Sequence, residues 1–88
     1  MNEPSGTAAL WIGARMVDFT GLKCPLPALM TAKALRDLPV GSLLAIMVSD
    51  PLAPLDLRHL CQKDGHTVLD ELKNQNGAQL LIRSGPRG

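Results

Sequence analysis

The sequence predicts an α/β fold, a two-layer sandwich in which two helices pack on one face of a four-stranded mixed sheet. Apolar residues recur with strand and helix periods in the order strand-helix-strand-helix-strand-strand. Proline and glycine punctuate the ends of most of these segments. An Asn76-Gly77 pair also separates the last two apolar runs, which is typical of a β-hairpin.

The first half of the chain is predicted to contain one helix between two strands. Residues 15–18 form the first strand, and Gly21 supplies a turn after it. Residues 25–38 form the helix, which Pro39 stops. Residues 43–48 are continuously apolar, as expected of a central strand that is covered on at least one face. The apolar stripe of the helix consists of Ala28, Ala32, Leu35 and Leu38.

The second half is predicted to contain a helix and a hairpin. The helix covers residues 54–63 and ends at Gly65, with Leu57, Leu60 and Cys61 on its core-facing stripe. Strands at residues 67–73 and 78–83 follow it. The residues expected to be mostly buried are Leu35, Leu44, Ile46, Leu57, Leu60, Val68 and Ile82.

The chain is short enough for one domain, which we place at residues 14–84. Residues 1–13 are expected to be a flexible extension and residues 85–88 a frayed tail. Within the extension, the apolar residues 8–12 either continue the first strand, cover a sheet edge or form a partner-binding arm. Met16 is a candidate alternative start of translation, which the sequence leaves open.

The composition is that of an ordinary globular protein. Hydrophobic residues make up 45% of the 88 residues, and the net charge is +1, which argues against a dedicated nucleic-acid binder. No apolar run is long enough to cross a bilayer, and no basic segment precedes residues 8–12 as in a secretory signal. We therefore expect a cytoplasmic protein with no membrane partner.

Cys24 is the candidate reactive residue, because it lies where the first strand and turn meet a helix start. Pro25 suits the first helical position, which makes Cys24 the expected N-cap. The nearest amides that could stabilise a thiolate belong to Leu26 and Ala28, and Lys23 adds positive charge. We therefore expect a thiol pKa below the free value of about 8.5.

The two prolines leave the start of this helix open. Leu26 precedes Pro27, and a residue before proline is biased away from helical angles. A helix that begins only at Pro27 would place Cys24 outside the cap.

The other polar candidates have structural interpretations. Cys61 falls on an apolar helix stripe, which predicts a core residue, and two distant cysteines do not make a disulfide scaffold. The spacing of His59 and His66 fits no zinc pattern, so we expect neither a metal nor a cofactor. Asp18 and Asp50 either bond turn amides, which we favour, or belong to a docking surface.

An ordered series of residues resembles the TusA/SirA/YedF sulfur-carrier family. The series consists of Asp18, Gly21-Leu22, Cys24-Pro25-x-Pro27, Gly41, the apolar run 44–48, Asp50-Pro51, Asp56 and Gly65-His66. The resemblance extends over residues 16–84. It implies a small α/β sandwich whose single cysteine, Cys24, carries sulfur as a persulfide.

The resemblance also implies a role between two protein partners. A thiolate at Cys24 would take sulfur from a persulfide donor such as a cysteine desulfurase and pass it to an acceptor protein. The pathways implied are tRNA thiolation, molybdenum cofactor synthesis and sulfur oxidation. We expect a monomer without direct nucleic-acid binding. The residues expected to support the thiol are Gly21, Lys23, Pro25, Leu26, Pro27 and Ala28, and those of the possible docking surface are Asp18, Asp50 and Pro51.

Two alternative functions remain. The element order is also similar to the C-terminal domain of a bacterial translation initiation factor, which would make the chain an RNA- or protein-binding regulatory module without sulfur transfer. The low net charge weighs against it. The second is a redox regulator that joins Cys24 and Cys61, which the expected burial of Cys61 opposes.

Overall fold

The computed structural model describes residues 6–86. It contains three helices and four strands in this part of the chain. In chain order they are α1 (Gly6–Ile12), β1 (Arg15–Asp18), α2 (Leu26–Arg36), β2 (Leu43–Val48), α3 (Ala53–Asp64), β3 (Thr67–Asn74) and β4 (Gly77–Arg83). The predicted order is confirmed from β1 onward, and α1 is an additional helix.

The four strands form one mixed sheet in the order β1-β2-β4-β3. β1 runs parallel to β2, and α2 provides the crossover that a parallel pair needs. β4 pairs antiparallel with both β2 and β3. The predicted α/β class with a mixed four-stranded sheet is therefore confirmed.

The core lies between one face of this sheet and helices α2 and α3. Alternate residues of β2 and β4 point to this face, in register pairs such as Ile46 with Leu80. Leu60 and Val68, both predicted to be mostly buried, are half-buried. The buried apolar side chains of this layer are Leu35, Leu44, Ile46, Val48, Ala53, Leu57, Cys61, Ala78, Leu80 and Ile82.

Helix α1 lies near the opposite face of the sheet. The neighbouring residues Ala45 and Leu81 belong to that face and are 1% and 0% exposed. α1 contacts β2, and the indole N–H of Trp11 donates to Asp70 Oδ2 on β3 at 2.9 Å. Residues 6–12, expected to belong to a flexible extension, form a helix, so residues 8–12 do not continue the first strand. Residues 1–5 of that extension lie outside the described residues.

The hairpin forms where Asn76-Gly77 predicted it. The turn residues are Gln75 and Asn76, and Gly77 is the first residue of β4 with a φ of 147°. A Cβ at Gly77 would lie 2.0 Å from the carbonyl oxygen of Val48, so only glycine fits beside β2 at this point. The hairpin is thereby placed directly against the end of β2.

The segment after β4 is anchored at its beginning. The amide of Gly85 donates to Nδ1 of His66 at 2.9 Å, and His66 is buried between the end of α3 and the start of β3. The expectation of a frayed tail over residues 85–88 does not hold at Gly85, while residues 87–88 lie outside the described residues.

Candidate functional site

Cys24 lies in the turn that connects β1 to α2. The helix begins at Leu26 and its N-cap is Pro25, so Cys24 is one residue outside the cap that the sequence predicted for it. Leu26 is already helical although Pro27 follows it, and its amide donates to the carbonyl of Lys23 at 2.8 Å. This amide is therefore engaged by the turn and does not stabilise the sulfur.

Asp50 connects the turn that contains Cys24 to the start of α3 through hydrogen bonds. Its Oδ2 accepts a hydrogen bond from the amide of Cys24 at 2.8 Å, and its Oδ1 accepts one from the amide of Leu52 at 2.9 Å. These two bonds, that of Cys24 first, hold the pKa of the Asp50 carboxyl below its usual value, and the charge of Lys23 adds to the effect. Asp50 thus serves a turn, as favoured, while directly contacting the candidate residue.

The thiol of Cys24 donates its hydrogen to Oδ2 of Asp56. Asp56 lies in the first turn of α3, so the starts of two helices bring the thiol and the carboxylate together. The hydrogen bond to Asp56 is the main reason that the pKa of Cys24 rises to about 11. Partial burial and the negative charges of Asp56 and Asp50 act in the same direction.

The predicted lowering of the thiol pKa is therefore wrong. The helix-end amides and Lys23 lie near Cys24 in the sequence, whereas the acid that contacts the sulfur comes from α3. A carboxylate that accepts a hydrogen bond from the thiol stabilises the neutral form and repels the thiolate. The resting form of Cys24 is a protonated thiol.

Asp18 and Ser49 order the rest of the turn. Asp18 Oδ1 accepts bonds from the hydroxyl of Thr20 at 2.6 Å and from its amide at 2.9 Å, which hold the pKa of Asp18 below its usual value. The amide of Gly21 donates to Ser49 Oγ at 2.8 Å. A shallow cleft of about 180 Å³ lies here, lined by Gly21, Leu22, Lys23, Ser49, Asp50 and Pro51.

Apolar side chains at the two helix starts are exposed around this turn. Leu26 at the start of α2 is 47% exposed, and Leu52 at the N-cap of α3 is 60% exposed. Pro25 and Pro51 are also exposed, whereas Pro27 and Ala28 are buried and half-buried. Of the residues predicted to support the thiol, Pro25 and Leu26 are therefore exposed, whereas Pro27 and Ala28 lie on the side of α2 that faces the core.

Cys61 has the core position that its helix stripe predicted. It is 2% exposed, and burial, with a smaller effect of Asp64, raises the pKa of its thiol to about 11. Between residues 6 and 86, no group of three potential metal-binding side chains is present. Over the same range, no helix has the length and apolarity needed to cross a membrane.

Asp56 is the site residue that sequence reasoning missed. It was noticed only as one position of the family-like pattern, without a role. Its place in the first turn of a helix that follows the Asp50-Pro51 turn was the available signal, because it puts a carboxylate at the same helix end as Asp50.

The fold and the site together define a small α/β protein with one accessible cysteine beside a pair of carboxylates. The chain belongs to the TusA sulfurtransferase family, whose sequence pattern matches residues 15–84.

Known proteins of two kinds are similar to it. Two relatives from Neisseria meningitidis, of serogroups A and B, are provisionally named sulfur carrier proteins. Each is 38% identical over 71 residues, which is 81% of this chain and 95% of the relative. The crystal structure of a SirA-like protein from Desulfitobacterium hafniense superimposes with a TM-score of 0.70 at 25% identity and covers 81% of this chain and 97% of that chain.

Proposed function

We propose that the protein is a sulfur carrier that holds sulfur as a persulfide on Cys24. The observation that carries the proposal is the position of Cys24, a partly exposed thiol in the turn before α2 within the part of the chain that matches the family. The names of the Neisseria relatives support the same role.

The reaction is an exchange between two sulfur centres. Sγ of Cys24 attacks the outer sulfur of a donor persulfide, a new S–S bond forms on Cys24, and the S–S bond of the donor breaks. The donor leaves as a thiol, and the carrier becomes Cys24–S–SH. Attack by an acceptor thiol on the outer sulfur then restores Cys24, so no net oxidation or reduction occurs.

The shape of the site suits exchange between proteins. Cys24 lies beside a shallow cleft rather than inside a deep cavity, so the sulfur can meet a partner's sulfur directly. A cysteine desulfurase provides the persulfide that this exchange needs, and an acceptor protein would use the same face in turn. Cys61 is unsuitable, because it is buried and out of reach of a partner.

The docking surface in this proposal surrounds the cysteine turn. Asp18, Asp50 and Pro51 are its predicted members, and exposed Leu26 and Leu52 add apolar area at the two helix starts. Apolar side chains at the centre of a contact with a polar rim are typical of protein interfaces. Leu26 is the exposed residue between the two prolines, so we expect it to contribute to partner specificity.

The test is the intact mass of the protein after exposure to a persulfidated cysteine desulfurase. We expect one added sulfur on the wild type and on Cys61→Ser, and none on Cys24→Ser. Circular dichroism confirms that each variant is folded. Loading that survives Cys24→Ser, or that is lost in folded Cys61→Ser, contradicts the proposal.

The acceptor is identified by a second transfer. Isolated loaded carrier is mixed with acceptor proteins of tRNA thiolation, molybdenum cofactor synthesis or sulfur oxidation, and both masses are followed. We expect the added sulfur to move from the carrier to one of these acceptors. Carrier that keeps its sulfur with all three would exclude these pathways.

A further inference from the structure

The contact between Cys24 and Asp56 poses a chemical problem for sulfur transfer. A thiolate is the nucleophile in thiol–persulfide exchange, yet the thiol is protonated at rest. With a pKa of about 11, roughly one molecule in ten thousand carries the thiolate at pH 7. An ordinary cysteine would have a few per cent in that form. The thiol must therefore lose its proton before or during the attack.

We propose that Asp56 is a catalytic residue of this carrier, which takes the proton from Cys24 as Sγ attacks the donor persulfide. The inference rests on the proposed function and adds a named base to it. The geometry that supports it is the hydrogen bond from the Cys24 thiol to Asp56 Oδ2, which already points the proton at its acceptor.

The division of labour between the two carboxylates favours Asp56 over Asp50. Both oxygens of Asp50 accept backbone amides, those of Cys24 and Leu52, so Asp50 holds the turn in place. Asp56 is the carboxylate that contacts the sulfur. Lys23 is the nearby positive charge on the same turn, and it acts on Asp50.

The S–H bond of Cys24 breaks and its proton passes to Asp56, while the electron pair on Sγ forms the bond to the outer sulfur of the donor. The donor S–S bond breaks and its electron pair leaves with the donor thiolate. Asp56 then releases the proton to solvent, so that a donor persulfide and a thiol give a Cys24 persulfide, a donor thiolate and one proton.

Asp56→Asn separates the effect of this carboxylate on the pKa of Cys24 from its action as a proton acceptor. The substitution removes the negative charge and the proton acceptor, while the side-chain shape is nearly kept. The pKa of Cys24 should fall toward that of a free thiol, and the rate of alkylation by iodoacetamide at pH 7 should rise about tenfold. This value combines a thiolate population about 100-fold larger with the lower nucleophilicity of a less basic thiolate.

Sulfur transfer from a persulfidated desulfurase should change in the opposite direction. Loss of a positioned base typically costs 10²–10⁴-fold, so even with the more acidic thiol we expect transfer to slow by about tenfold or more. Asp56→Glu should restore part of the transfer rate, because it keeps a carboxylate. Asp64→Asn, on the same helix beside Cys61, is the matched control and should leave both rates of Cys24 unchanged.

The two rates together distinguish an Asp56 that acts as a base in sulfur transfer from one that only keeps the thiol protonated. Faster alkylation with slower sulfur transfer in Asp56→Asn supports the proposal. Alkylation and transfer that rise together, or that both stay unchanged, overturn it and leave the carrier function in place. Wild-type protein that is never loaded would instead contradict the proposed function itself.

The wild-type protein gives a second test that does not depend on the fold of a variant. Between pH 6 and 8, alkylation of Cys24 should rise about 100-fold with the thiolate population. Transfer from the desulfurase should rise far less over that range, because the proton leaves to Asp56 within the step. Transfer that rises in parallel with alkylation overturns the proposal.

Discussion

The thiol of Cys24 donates its hydrogen to the carboxylate of Asp56, 32 residues further along the chain. This contact joins the turn before α2 to the first turn of α3. It makes the resting cysteine a weaker acid than a free thiol.

The alkylation rate of Cys24 should have its titration midpoint near pH 11. The hydrogen bond to Asp56 and the nearby carboxylates raise the pKa of Cys24 to about 11, so the rate should still be rising at pH 9. The measurement is the rate of iodoacetamide labelling against pH in a Cys61→Ser background. A midpoint at or below about 8.5, the free-thiol value, would contradict the observed contact.

Truncation of Leu57 should strongly destabilise the protein. Leu57 is 0% exposed in the core between α3 and the sheet, and Leu→Ala at such a site costs about 2–5 kcal/mol. Leu55 on the same helix is 50% exposed, and Leu55→Ala should change stability by about 0.5 kcal/mol or less. Urea unfolding measures both, and equal costs would show that α3 presents a different face to the core.

Removal of the Trp11 hydrogen bond should destabilise the packing of α1. Trp11→Phe keeps an aromatic ring but removes the N–H that donates to Asp70, which should cost about 1 kcal/mol. Deletion of residues 1–13 should cost more, because it also uncovers the sheet face of Ala45 and Leu81. Thermal unfolding followed by circular dichroism is the measurement. An unchanged midpoint in both variants would mean that α1 adds nothing to stability.

Gly77→Ala should disrupt the hairpin. The positive φ of Gly77 costs an alanine about 1–3 kcal/mol, and the contact of its Cβ with the Val48 carbonyl adds to that cost. Gly13→Ala is the control, because no atom lies within 4 Å of a Cβ at Gly13. Chemical denaturation compares the two variants. A stable Gly77→Ala protein would show that β2 and β4 can move apart at this point without loss.

Stability should decline between pH 9 and 11, partly because of Cys61. Burial raises the pKa of Cys61 to about 11 in the folded protein, whereas the unfolded chain loses that proton near pH 9. The contribution is complete below pH 9 and is lost as the pH rises to 11. In a Cys24→Ser background, Cys61→Ala should remove about 1–2 kcal/mol of this decline in the free energy of unfolding. Identical declines would show that the Cys61 thiol ionises normally.

Much of the fold could be predicted because the pattern in its elements is local. The continuous apolar run of residues 43–48 is β2, and the Asn76-Gly77 hairpin formed as predicted. α1 was missed because its apolar part, residues 8–12, is no longer than a short strand and periodicity cannot distinguish the two. Its tertiary contact with Asp70 lies 59 positions away and is not visible in a local pattern.

The candidate site was predicted in position but not in electrostatics. Cys24 was found from the residues around it, and the turn role of Asp50 from its place before a proline. The pKa of the thiol depends on Asp56, which comes from another helix. No pattern near Cys24 contains that contact, so the direction of the shift was wrong.

The separation of Cys24 and Asp56 along the chain also affects newly made protein. On the ribosome, a chain that has emerged only to Cys24 lacks α3, and its thiol has the ordinary pKa of about 8.5. Such a thiol ionises more easily and is the better target for peroxide or a stray disulfide. We therefore expect Cys24 to react faster with oxidants before α3 docks than in the folded protein.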